Sequence, residues 1–208
     1  GEALIKMEYC GVCGSDVHFY REGKVGDTPA PKDFILGHEV AGTVAALGAG
    51  VTGLQVGDRV ALEPGYTCGK CEFCKTGRYN LCPDVQFFAA PPVQGALQEY
   101  VVHPADMCFK LPENVSTEEG ALVEPLAVGM HAASQANVTL GNSVLILGGG
   151  CIGLVTMLSA KARGAAKLVV VDQSQKRLDM AKKLGATEVI EAKEEDVAQR
   201  VQEILGPL

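Results

Sequence analysis

The sequence passes from a continuous apolar run, Ser143–Leu147 (SVLIL), straight into Gly148-Gly149-Gly150-Cys151-Ile152-Gly153 and then into a helical pattern. Few segments leave a chain so little choice of fold. A short apolar run bounded by glycine suits a strand covered on both faces. The glycines read G-x-G-x-x-G, a weak signal alone in a chain with 25 glycines. Context gives it force: a strand before, a helix after, and Asp172 nineteen residues beyond Gly153 at the end of the next apolar run. In that arrangement Gly148 makes the tight turn, Gly150 lets the backbone approach a pyrophosphate, and Gly153 permits close packing of helix on strand. The helix N-terminus then turns its partial positive charge to the phosphates. Asp172 accepts hydrogen bonds from the adenosine ribose and repels a 2′-phosphate, which favours NAD over NADP; Arg177 weakens that preference only slightly. Gly148, Gly150, Ile152, Gly153, Asp172 and Arg177 are therefore the candidate cofactor-binding residues. The alternative is a tight turn without a ligand.

The rhythm around this turn extends to the end of the chain. Lys167–Val171 (KLVVV) and Glu188–Ile190 are further strand-like runs. Between them Ser174 is placed to cap a helix whose Leu178, Ala181 and Leu184 share a face and which Gly185 stops. Val197, Val201, Ile204 and Leu205 form the apolar face of a last helix, ended by Gly206-Pro207. The order βαβαβα is one half of a doubly wound dinucleotide-binding domain, whose full strand order is 3-2-1-4-5-6. Without the second half, Ser143–Leu147 is expected to be an uncovered apolar edge. The chain also opens at Gly1 in strand-like sequence, so it is expected to be a fragment, inactive alone. Upstream of about residue 130 the pattern differs. Short β-type runs at Val40–Leu47, Arg59–Leu62 and Tyr100–Val102 are separated by Gly, Pro and Asp, which predicts an irregular β domain. Ser116 and Glu119 have the spacing of a capping box and predict a helix start. The expected domains are residues 1–125 and 126–208.

Composition excludes several classes. Hydrophobic residues make up 47% and charged residues 21% of the 208, so the chain is globular rather than disordered. A net charge of −7 without a basic run argues against binding nucleic acid or an anionic membrane. No apolar stretch reads as a membrane span or signal peptide. Eight cysteines in such a chain point first to metal, and a cytoplasmic location follows as an expectation. Cys68, Cys71, Cys74 and Cys82 form C-x2-C-x2-C-x7-C, with Gly69 and Gly77 letting the loop turn. Four thiolates so spaced suit a closed tetrahedral zinc site, which is structural because no position is left for substrate. Two disulfides are the alternative. Cys10, Cys108 and His103 read as packing or surface residues, the Lys182-Lys183 pair reads as a solvated helix face, and His131 is undecided by spacing.

A second constellation joins Cys13-Gly14-Ser15-Asp16 to Gly37-His38-Glu39. Alone, His38 reads as a core residue and Cys13 as a small hydrophobe. Together, a thiolate, an imidazole and a carboxylate with flanking glycines are the composition of a catalytic zinc with one open position. Glu124, a charge inside Leu122-Val123-Glu124-Pro125-Leu126, is costly to bury unless paired or metal-bound.

Several motifs in order, Cys13-Gly14-Ser15-Asp16-Val17-His18, GHEVAGTV from Gly37, Gly57-Asp58-Arg59-Val60 and the four-cysteine segment, resemble the zinc-containing medium-chain dehydrogenases. Glu124-Pro125-Leu126 and GRYNLC from Gly77 resemble the polyol (sorbitol and xylitol) branch. The resemblance covers nearly the whole chain. It implies a GroES-like catalytic domain followed by a Rossmann-type domain, of which the first half is here. It implies a catalytic zinc held by Cys13, His38 and Glu39, with Glu124 beside the metal-bound water or substrate. The simple-alcohol enzymes of this superfamily carry cysteine where Glu124 stands, and this chain has none between Cys108 and Cys151. Ser15 and His18 match the proton-relay positions. Phe19 stands where sorbitol enzymes often have tyrosine near substrate, and Phe87 lines the pocket. Some animal sorbitol enzymes have lost the four-cysteine lobe that this chain keeps. The implied reaction is hydride transfer from a polyol secondary alcohol to NAD in an enzyme that is usually a homotetramer. The alternatives are another zinc-dependent secondary-alcohol or threonine dehydrogenase, and a non-catalytic zinc- and adenosine-binding module.

Overall fold

A computed structural model describes residues 1–206 and divides the chain into two compact units, Gly1–Glu124 and Pro125–Leu208. Pro207, part of the expected helix stop, lies outside the described residues.

The first unit is built on β1 (Glu2–Gly11), which alternates as a half-buried strand should: Ala3 and Ile5 point inward, Lys6 and Glu8 outward. After it come α1 (Gly14–Glu22), the short ribbon β2 (Lys24–Val25) and β3 (Thr28–Pro29), then β4 (Glu39–Leu47) and β5 (Arg59–Leu62). A lobe follows with β6 (Gly65–Tyr66), α2 (Glu72–Lys75) and β7 (Gln86–Phe87), and the chain returns as β8 (Tyr100–Pro104) and β9 (Cys108–Lys110). The main sheet is antiparallel in the order β8-β1-β4-β5-β9. Ile5, Val40, Val44, Val60, Phe88 and Val101 form its core. Burying each such side chain stabilises by about 1.5–3 kcal/mol. Gly42 is required here, because a Cβ would overlap the Lys6 carbonyl oxygen where the β1–β4 register shifts.

Ser116 caps as expected: its hydroxyl accepts from Glu119 N at 3.1 Å, and the Glu119 carboxylate accepts from Ser116 N at 2.8 Å. The helix is broken, however, into α3 (Thr117–Ala121) and α4 (Val123–Gln135). Pro125 explains the break. It has no N–H for a continuous helix and fits only in a first turn, where α4 places it.

The second unit continues with β10 (Ser143–Leu147), α5 (Cys151–Ala162), β11 (Lys167–Asp172), α6 (Gln175–Leu184), β12 (Glu188–Glu191) and α7 (Val197–Leu205). The three strands are parallel in the order β10-β11-β12. Alternate residues of β11 feed two cores. Leu168 and Val170 pack with Met157 and Ala181, whereas Val169 and Val171 pack with Ile190 and Val201. That period of two explains a continuous apolar run. β10 is an edge, and Leu147 is 75% exposed. Gly185 ends α6 at φ +107. Ser174 occupies the N-cap of α6, but its side chain makes no capping bond; its N–H instead donates to Asp172 Oδ1 at 2.8 Å. Among the described residues no helix is long and apolar enough to cross a membrane.

Candidate metal and coenzyme sites

The β1–β4 ladder brings the first site together. Gly11 pairs with Glu39, so the end of β1 lies beside the start of β4. Two residues past Gly11, Cys13 occupies the N-cap of α1. Cys13, His38 and Glu39 thus present a sulfur, a ring nitrogen and a carboxylate oxygen all within 4.8 Å of one another, with His38 and Glu39 buried. One ion bridges such a set, and the soft and hard donors together suit zinc with a fourth position open.

Three residues to which the sequence alone assigns no individual role hold this geometry. Asp16 is buried, accepts from Cys13 N at 2.9 Å and Gly37 N at 3.0 Å, and lies 3.9 Å from His38 Nδ1. One carboxylate therefore ties the loop bearing Cys13 to the loop bearing His38. Gly11 is required because a Cβ would overlap Glu39 Oε2 and stand 3.2 Å from Glu39 Cδ. Gly37 adopts φ +92, and a Cβ there would stand 2.7 Å from Cys10 Sγ.

The remaining candidates of this unit are spread around the cluster. Glu124 is half-buried; burial pushes its carboxyl above the ordinary range, His38 pulls it back, and Glu39 adds to the rise. It is outside the three-ligand group yet within electrostatic reach of two of its members. The Phe87 ring lies 5.7 Å from the His38 ring. Phe19 is buried edge-on against Phe34 at 5.4 Å. Ser15 sits in the first turn of α1, and His18 is exposed with Nδ1 3.0 Å from Glu22 Oε1.

The four-cysteine lobe closes as its spacing predicts. Cys68, Cys71, Cys74 and Cys82 all lie within 4.8 Å of one another at sulfur. The contacts are 3.4 Å for Cys71–Cys74, 3.6 Å for Cys68–Cys82 and 4.0 Å for Cys68–Cys74. Tetrahedral zinc with Zn–S bonds of about 2.3 Å sets its sulfurs about 3.8 Å apart, whereas a disulfide needs about 2.05 Å. None of these four cysteines forms a disulfide. The lobe is tied to the sheet through Glu63, whose carboxylate accepts from Tyr79 Oη at 3.0 Å. The Glu63 carbonyl accepts from Nε2 of the buried His103 at 2.8 Å. Burial pushes the Glu63 carboxyl up and the His103 imidazole down.

In the second unit Gly148 adopts φ +102 between β10 and α5. A Cβ on Gly153 would overlap the Gly148 carbonyl oxygen, so this glycine serves the packing of helix on turn. Gly150 differs. It caps α5 in extended backbone open to any residue, φ −72 and ψ −175, and a Cβ there would meet nothing within 4 Å. No protein neighbour demands a glycine; the free space at a helix N-terminus fits a pyrophosphate. Asp172 Oδ2 accepts from Gly149 N at 2.7 Å, and Arg177 Nη1 lies 3.4 Å away. Burial works to raise the Asp172 carboxyl, but the Gly149 and Ser174 N–H donors and the Arg177 charge outweigh it and hold it low. Asp172 and Arg177 line a cleft of about 340 Å³ with Leu147, Gly148 and Ala192, and Ile152 is 44% exposed on the first turn of α5.

Comparison with known proteins agrees with this architecture. The family profile for the alcohol dehydrogenase GroES-like domain matches residues 1–113, and the zinc-binding dehydrogenase profile matches residues 151–208. The chain belongs to the zinc-containing medium-chain alcohol dehydrogenase family. Sorbitol dehydrogenase of Bacillus subtilis is 49% identical over 203 residues, covering 98% of this chain and 58% of that protein. The chain thus spans less than two thirds of the curated relatives it matches. An oxidoreductase/dehydrogenase of unknown specificity from Escherichia coli superposes with a TM-score of 0.93 at 51% identity, over 98% of this chain and 59% of that one. An alcohol dehydrogenase from Escherichia coli CFT073, solved with NADH, gives 0.88 at 31% identity, over 98% and 59%. The chain thus carries a four-cysteine cluster and a separate Cys–His–Glu cluster, each able to hold a metal ion, within a family of zinc-binding dehydrogenases.

Proposed function

We infer that the enzyme carrying this sequence transfers hydride from a secondary alcohol of a polyol of the sorbitol or xylitol kind to NAD, giving a ketose. The observation that carries this is the cluster of Cys13, His38 and Glu39, a site of three donors rather than four, with Glu124 in electrostatic reach. The sorbitol dehydrogenase relatives support the polyol class.

Residues 1–125 act as the catalytic domain and residues 126–208 as the first half of the coenzyme domain. Cys13, His38 and Glu39 would hold a zinc ion that, when bound, would supply Lewis-acid chemistry to lower the pKa of an alcohol hydroxyl. Asp16 holds Cys13 and His38 in the geometry that chemistry needs. Ser15 takes the hydroxyl proton as it passes its own on toward the exposed His18, which delivers a proton to solvent. Glu124 orients the polyol beside the ligand cluster, and Phe87 and Phe19 give the pocket its apolar wall. The Gly148–Gly153 turn and the α5 N-terminus hold the coenzyme pyrophosphate, with Ile152 against it. Asp172 takes the adenosine ribose hydroxyls and rejects a 2′-phosphate, with Arg177 beside it. The products are a ketose, NADH and a solvent proton. A homotetramer in the cytoplasm is the assembly and place we assign, and a lobe whose four cysteines cluster as metal-type ligands rather than as disulfides supports that compartment.

The test is NADH formation by the zinc-loaded enzyme on sorbitol, xylitol and threonine. Polyol turnover is expected; turnover of threonine alone overturns the proposal.

A further inference from the structure

α1 carries Ser15, His18 and Glu22 at positions i, i+3 and i+7, which sets them along one helix face. That face leaves from Cys13, the N-cap of α1 and a member of the metal cluster, and ends in the last turn of the helix. His18 Nδ1 lies 3.0 Å from Glu22 Oε1, and both side chains are more than half exposed. An ionised carboxylate only accepts, so the shared hydrogen belongs to the ring, and Nδ1 donates. In a neutral imidazole this leaves Nε2 as the bare acceptor, the reverse of the tautomer that free histidine favours in water. The helix dipole does not favour Glu22. A carboxylate in a last turn opposes the helix dipole, so its contribution there is unfavourable.

We propose that Glu22 is a positioning residue: it holds His18 as the Nδ1–H tautomer and makes Nε2 the atom that takes up a proton. The proposal rests on the dehydrogenase reading only for the source of that proton, the alcohol hydroxyl through Ser15. Uptake at Nε2 gives an imidazolium whose Nδ1–H still donates to Glu22. Loss of the Nε2 proton to water restores the starting ring, so no charge accumulates over a turnover.

The tautomer is read directly in long-range proton–nitrogen spectra of the labelled protein at a pH where the ring is neutral. The expected share of the form with a protonated Nδ1 and a bare Nε2 is well above that of free histidine. Glu22→Ala is expected to lower the ratio of Nδ1–H to Nε2–H about threefold, the size of a single exposed hydrogen bond near the low end of its usual range. Glu22→Gln, which keeps an acceptor oxygen at the same reach, is expected to retain the wild-type preference. In the zinc-loaded enzyme Glu22→Ala is expected to lower kcat about threefold at an unchanged KM for coenzyme, with imidazole buffer restoring the rate. A wild-type ring with the tautomer ratio of free histidine, or an unchanged ratio or kcat in Glu22→Ala, overturns the proposal. The spectra need neither substrate nor coenzyme, so failure of the polyol assignment shows in the turnover assays alone.

Discussion

Alanine at Gly150 and alanine at Gly153 are expected to fail in different ways. At Gly153 the added carbon would overlap the Gly148 carbonyl oxygen and stand 2.9 Å from Gly148 C. Both atoms are backbone and cannot rotate away. The turn and α5 must part, which costs about 1–3 kcal/mol as overpacked interiors do. For a chain of this length that is a fall in Tm of about 2–12 °C. At Gly150 the carbon meets open space and the backbone is one any residue adopts, so stability stays within about 1 kcal/mol of the parent. The methyl group instead occupies the pyrophosphate's approach. The same steric conflict, about 1–3 kcal/mol, then falls on the complex and weakens coenzyme binding about 5- to 150-fold. Thermal unfolding and calorimetric titration with NADH measure the two quantities separately. A Gly150→Ala protein that bound NADH as tightly as the parent would refute the assignment of this turn to a pyrophosphate. So would equal losses of Tm in both variants.

Three further outcomes follow from the same geometry. Gly11→Ala is expected to displace the Glu39 carboxylate and remove zinc from the three-donor site while the four-cysteine zinc stays; metal content per chain checks it. Asp172→Asn removes the charge that repels a 2′-phosphate and is expected to raise NADP affinity relative to NAD about tenfold, since hydrogen bonds to charged groups contribute about 1.5–3 kcal/mol; titration with both coenzymes decides it. His103 has a folded pKa depressed by burial, so the unfolded chain binds the proton more readily. The neutral imidazole's stability is present above its unfolded value near 6.5 and is lost as pH falls through that value toward the folded one. Denaturant unfolding between pH 7 and 5 is expected to be flatter in His103→Phe by up to about 1.4 kcal/mol per pH unit; parallel profiles would contradict it.

The parallel half of the fold is legible in sequence because each of its signals is local. β11 declares burial on both faces by its composition, the glycine turn joins neighbours in the chain, and Asp172 ends the strand it belongs to. The four thiolates lie within one loop, so their spacing and their geometry are nearly the same fact. The first site is less legible. Cys13, His38 and Glu39 are recognisable as donor types, but α1 is not signalled by periodicity. Its sequence starts with Gly-Ser and carries Val17 and Phe19, residues of modest helix propensity. Asp16 looks like a helix-start acid, and only the fold shows that it also holds Gly37, 21 residues away. Gly11 becomes necessary only when the β1–β4 register sets it against Glu39. Ser174 misleads for a local reason: Asp172, two residues earlier, captures its N–H and orders the turn without a serine cap.

The central claim is that one chain holds two zinc sites of different kinds, one closed by four thiolates and one open at Cys13, His38 and Glu39. Zinc content of the purified protein, before and after Cys13→Ser, tests it most directly. The account predicts two zinc ions per chain falling to one, with the fold and the four-cysteine ion retained. A single zinc in the parent, or two in the variant, would contradict it.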